Sequence, residues 1–229
     1  MATNYEDLLP EILPMVPGCP DTLVETTIRA AVIELCEKAA VYQRELDTVT
    51  TVANIYEYDL EPPSSTVVHS ILWVTFDGEH IEPISTTLLE QRKPKWRDSS
   101  YYGTPEYFIK VSQSQFWLVP VPDVTKVGST VVRVQLKPTY TSTACDSEVM
   151  TDYRDTIING TLFRLLRMPG KDWSDLTTAQ GYGVLFSSGV ELADRKANHD
   201  DMPVARKVKY GGVFRSYRLQ RNRYGRETR

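Results

Sequence analysis

Residues 67–84 read VVHSILWVTFDGEHIEPI. The first ten are mostly β-branched or aromatic. Asp77-Gly78 then separates them from His80-Ile81-Glu82-Pro83-Ile84, the strongest short-range signal for a β-hairpin. Working outward, the period stays near two from residue 45 to about 150, with further runs at 47–52, 55–58, 106–111, 115–119 and 129–137. Together they predict a sheet of roughly six strands. One helix interrupts it at 85–92, with Ser85 placed to cap it and Pro94 to end it.

On both sides of this stretch the period becomes helical. Residues 20–43 place Val24, Ile28, Ala31, Leu35 and Tyr42 on one stripe. Pro20 suits a first-turn position, Thr22 and Glu25 have capping-box spacing, and Arg29, Glu34, Glu37, Lys38 and Arg44 remain for the wet face. Before it, YEDLLPEILPMVPGCP holds Pro10, Pro14 and Pro17, which limit any helix to a turn or two. After residue 150, Tyr153, Ile157, Leu162, Leu165 and Leu166 form a stripe with Thr151 and Asp152 as candidate caps, closed by Met168-Pro169-Gly170. A last helix, 174–197, sets Ala179, Tyr182, Phe186, Val190 and Ala193 at near-heptad spacing. Its Gly181, Gly183 and Gly189 imply that another backbone lies close. The expected class is therefore α+β: a helical bundle with an inserted antiparallel β module and an extended C-terminal arm. The divisions are 1–44 (lead-in and long helix), 45–150 (β module), 151–202 (late helices) and 203–229 (arm).

The 229 residues are 41% hydrophobic and 24% charged, close to globular averages, which excludes wholesale disorder and collagen-like repetition. The longest stretches without Asp, Glu, Lys or Arg, 62–76 and 176–190, have 15 residues each, short of the roughly 20 of a spanning helix, so no membrane role is expected. Glu6 and Asp7 stand where a signal peptide would carry basic residues. Three cysteines, Cys19, Cys36 and Cys145, form no CxxC pair and read as free thiols.

Catalysis has little to work with. His69, His80 and His199 are the only histidines, and none lies three to five residues from another His or a Cys. The chain has no GxSxG, phosphate loop or dinucleotide fingerprint. Glu6/Asp7, Asp146/Glu148 and Asp200/Asp201 fall at element ends and read as caps or solubilising charges. The loop Met168-Pro169-Gly170-Lys171-Asp172-Trp173 reads as a helix stop anchored by Trp173. The expectation is no enzyme, no cofactor and no metal. Trp96, Tyr101, Tyr102, Tyr107 and Trp117 crowd the β module, suited to a core, a subunit interface or, as a lesser alternative, carbohydrate stacking.

Charge is divided unevenly. Residues 203–229 hold nine Lys or Arg and one acid, a net of +8, which leaves the first 202 residues at −12 of the chain's −4. Such a segment docks on nucleic acid or on an acidic protein surface. Its binding residues are Arg206, Lys207, Lys209, Tyr210, Phe214, Arg215, Tyr217, Arg218, Leu219, Arg221, Arg223 and Tyr224, arginine interleaved with aromatics. A nucleic-acid-binding protein using this tail is the alternative function.

The strings YEDLLPEILPMVPGCPD at 5–21, AAVIELC at 30–36 and LLRMPGKDW at 165–173, with the order of elements, resemble the head-to-tail adaptor (connector) proteins of tailed bacteriophages, the podovirus-like portal adaptors. The resemblance implies a ring of about twelve copies beneath the portal, present in the virion at the head–tail junction and assembled in the host cytoplasm. It implies portal, nozzle or tail proteins as partners, and genomic DNA passing through the channel without specific recognition. The arginines and aromatics of the arm would then lie in grooves of the portal ring, and a body at −12 suits a channel that must not grip a polyanion.

Overall fold

The computed structural model describes residues 2–198. In chain order these form β1 (Ala2–Asn4), α1 (Leu9–Ile12) between 3-10 turns at Tyr5–Leu8 and Leu13–Met15, α2 (Asp21–Lys38), β2 (Gln43–Glu45), β3 (Val49–Thr51) and β4 (Glu57–Asp59). There follow β5 (Thr66–Phe76), β6 (Glu79–Pro83), α3 (Thr86–Arg92), a 3-10 turn at Ser99–Tyr101, β7 (Tyr107–Lys110), β8 (Gln115–Val119), β9 (Lys126–Pro138) and β10 (Ala144–Asp146). The last helices are α4 (Ser147–Asp152), α5 (Arg154–Leu166) and α6 (Leu176–Ala197). The α+β class expected from the sequence is the one observed.

The hairpin expected at Asp77-Gly78 is β5–β6. Asp77 and Gly78 both take positive φ, 50° and 85°, the backbone of a two-residue turn whose twist matches its strands. The sheet has eight strands rather than six, in the order β2-β9-β5-β6-β7-β8-β4, with β3 also on β9. All pairings are antiparallel except β6 with β7. The long strand β9 organises it, with β5 along one edge and β2 and β3 along the other. Two bulges interrupt β5 on β9, leaving His69 and Leu72 as the extra residues, and each adds local bend and twist. A separate two-stranded ribbon joins β1 to β10.

Helix α2 buries Val24, Ile28, Ala31 and Leu35 of the expected stripe and Val32 beside them, while Tyr42 lies beyond its end; each large apolar side chain contributes about 1.5–3 kcal/mol by leaving water. It stops at Lys38, five residues short of the expected end, because Ala39 turns extended and the chain enters β2. Its cap also differs. Pro20 is the extended N-cap residue, no side chain caps the helix, and the carbonyl of Thr22 accepts instead from the Thr26 hydroxyl at 2.8 Å. The charges assigned to its wet face make structural bonds. Arg29 donates to the carbonyls of Ser142 (2.6 Å) and Tyr140 (2.9 Å), and Glu37 pairs with Lys137 of β9 at 2.6 Å.

Thr151 and Asp152 do not cap the late helices. Helix α4 starts earlier, where the Asp146 carboxylate accepts from Glu148 N at 3.0 Å, and Asp175 caps α6 by accepting from Thr177 N and Thr178 N. The late glycines meet side chains rather than another backbone. A Cβ at Gly183 would stand 2.8 Å from the Phe163 ring and one at Gly189 2.5 Å from the Thr156 hydroxyl, while Gly181 has nothing within 4 Å. One large core joins the lead-in (Tyr5, Leu8, Ile12), α2, α5, α6 and the inner face of β5 and β9. A smaller core, Leu89, Trp96, Ile109, Val119 and Val121, lies under α3.

Candidate interaction surfaces

The chain leaves α3 as Arg92-Lys93-Pro94-Lys95-Trp96-Arg97, four cations in six residues of an otherwise acidic body. Pro94 cannot continue the helix, and the segment folds into successive tight turns, with Lys93 N on Leu89 O (2.8 Å), Trp96 N on Lys93 O (3.0 Å) and Asp98 N on Lys95 O (2.9 Å). Trp96 is buried and anchors them. Its ring stands edge-on to Tyr56 at 5.2 Å and tilted to Trp117 at 5.8 Å, and its Nε1 donates to Glu90 at 3.2 Å. The Arg97 guanidinium lies 4.3 Å over the Trp96 ring and 3.4 Å from Glu90. Lys93 pairs with Glu106 at 3.1 Å and sits over Tyr107.

That leaves Arg92 and Lys95, both exposed, which form no ion pair among the described residues. They border a cavity of about 390 Å³ lined also by Lys93, Pro94, Trp96, Tyr101, Val119 and Pro120. Of the five aromatics singled out from the sequence, Tyr101 alone is exposed, at 52%. Sugar stacking needs open ring faces, and Trp96 and Trp117 have theirs packed against Tyr56, Arg97 and each other.

A different surface runs along α6, where Val184, Leu185 and Leu192 are 70%, 54% and 61% exposed opposite the buried stripe of Ala179, Phe186, Val190 and Ala193.

The residues considered for catalysis do not converge. His69 is the bulge residue of β5. Burial foremost, with the Lys137 cation next, pushes its imidazole below the ordinary 6.5. His80 stands edge-on to Trp73 at 5.4 Å. Asp146 is spent on its cap and on Arg44 at 3.1 Å. All three thiols are free and buried; the hydrogen-bonding Cys145 side chain, followed by burial, pushes Cys36 well above the ordinary thiol range, the reverse of what a nucleophile needs. In the 168–173 loop, Met168 and Trp173 pack on the core and Lys171 Nζ lies 5.8 Å from the Trp173 ring, as a helix stop would have it. No group of three or more His, Cys, Asp or Glu suited to a metal ion occurs among the described residues, and no described helix is long and apolar enough to cross a membrane.

His199, Asp200, Asp201 and the arm residues 206–224 lie outside the described residues. The basic cavity was missed in the sequence reading, although its signal, four cations clustered about a tryptophan, stands in the chain; only the fold reveals that two of the four are committed internally.

The family model described as SU10 adaptor protein matches residues 3–207. No curated protein matches the chain.

Proposed function

The chain belongs to the SU10 adaptor protein family, a bacteriophage adaptor with portal and tail proteins as its general partners, and we propose that it works as a ring of about twelve copies beneath the portal. In this reading the ring widens the portal's lower face into a platform for the nozzle or tail, at the head–tail junction of a virion assembled in the host cytoplasm. Its operation is structural, and no bond is made or broken. The observation that carries the reading is the family match across residues 3–207, which spans helices, sheet and the start of the basic segment.

The division of charge supplies the mechanism. The body at −12 repels DNA from a channel wall and repels its own neighbours. The +8 segment draws each copy to the portal, where Arg206, Lys207, Lys209, Arg215, Arg218, Arg221 and Arg223 pair with acids or carbonyls and Tyr210, Phe214, Tyr217, Leu219 and Tyr224 fill grooves. The β module, 45–150, then faces neighbours or the next component. Assembly is templated: copies repel one another until the portal arrays them.

Sedimentation with and without purified portal rings tests this. A slow species that shifts wholly onto the portal supports the proposal; a chain that ignores the portal at any ratio contradicts it.

A further inference from the structure

We infer that the cavity beside Trp96 is a docking site for an acidic, partly apolar segment of another protein, with carboxylates on Arg92 and Lys95 and an apolar side chain against Tyr101 and Pro120. This attachment point is separate from the proposed portal arm and stands without it.

The cavity is held in shape before any partner arrives. Trp96 is locked by Tyr56, Trp117 and its bond to Glu90, and Arg97 covers the ring while paired to the same carboxylate. Lys93 is neutralised by Glu106. What remains is two exposed cations without ion-pair partners at the rim of a pocket whose walls are aromatic and apolar. A carboxylate recovers there the charge-assisted bonds it had with water, and an aliphatic neighbour loses water against Tyr101 and Pro120.

Nucleic acid fits less well. A bound strand needs cations spread over several phosphates and open ring faces for its bases. Here only two cations lack an ion-pair partner among the described residues, the indoles are packed away, and the surrounding body carries −12. Two cations suffice for a short acidic segment.

The probe is the peptide acetyl-Asp-Leu-Glu-Leu-Asp-amide, titrated into the full chain and read at the Trp96 indole N–H resonance. The expected result is saturable binding with a dissociation constant of about 1 mM or tighter. Roughly tenfold weaker binding is expected for the Asn-Leu-Gln-Leu-Asn analogue and for Arg92→Glu/Lys95→Glu, with no change for Arg195→Glu on α6. Binding unaltered by the double reversal, or absent from the wild-type chain, overturns the inference. So does a stronger shift with single-stranded oligothymidylate, which gives the site to nucleic acid, or a shift on concentrating the free chain alone, which gives it to a second copy.

Discussion

Gly160 of α5 lies beneath the ring of Phe186 on α6: a Cβ built on that glycine would stand 2.7 Å from two ring carbons and 3.2 Å from Ala31 Cβ on α2. Three helices therefore meet where one residue has no side chain. Gly160→Ala adds a methyl group to a filled site, and the overpacking, about 1–3 kcal/mol, outweighs the roughly 1 kcal/mol that alanine gains in a helix. Gly181→Ala meets nothing within 4 Å and should stabilise by about 0.5–1 kcal/mol. Urea denaturation of the two variants should move the midpoint in opposite directions.

Thr130 on β9 is fully buried and its hydroxyl has no hydrogen-bond partner among the described residues. Valine keeps the shape and removes the unsatisfied oxygen. Thr130→Val is expected to raise stability by about 1 kcal/mol, the scale of a buried polar group left without a bond. A destabilised variant in the same titration would show that the hydroxyl is bonded in solution.

His69 carries a pH dependence whose sign follows from its lowered pKa. The folded chain prefers the neutral ring, so the stabilisation is fully present above the unfolded value near 6.5 and is lost as pH falls from there to the depressed folded value. Thermal unfolding between pH 8 and pH 5 should show the loss, and His69→Gln should reduce it. An equal loss in the variant would assign it to other groups.

The proposed arm sets the scale of portal binding. Phe214→Ala and Tyr217→Ala should each weaken it by about 1–4 kcal/mol, as buried anchors do, with only moderate sensitivity to salt. Truncation after Met202 should abolish docking, and full retention would remove the arm from the mechanism. A steep loss with salt would instead favour nucleic acid as its partner.

Much of the fold was legible because its signals are local. Asp77-Gly78 announces its own turn, Ser85 caps α3 by accepting from Leu88 N at 3.3 Å, and the stripe of α2 repeats every three to four residues. What was not legible is non-local. Nothing near Glu57 says that β4 will close the far edge of the sheet on β8, and nothing near Ala2 says that its strand pairs with Ala144–Asp146. The bulges at His69 and Leu72 arise only once β5 is laid against β9. The site divides in the same way: the cluster of cations at 92–97 is visible in the chain, but which two are free depends on Glu90 and Glu106, the latter brought beside Lys93 by the sheet.

Reconstruction of the virion neck by electron microscopy tests the central claim most directly. The proposal predicts a closed ring of this α+β fold seated on the portal's lower face, sharing the portal's rotational symmetry, with C-terminal residues in the portal's grooves. A neck without this fold, or the fold located elsewhere in the particle, would contradict it.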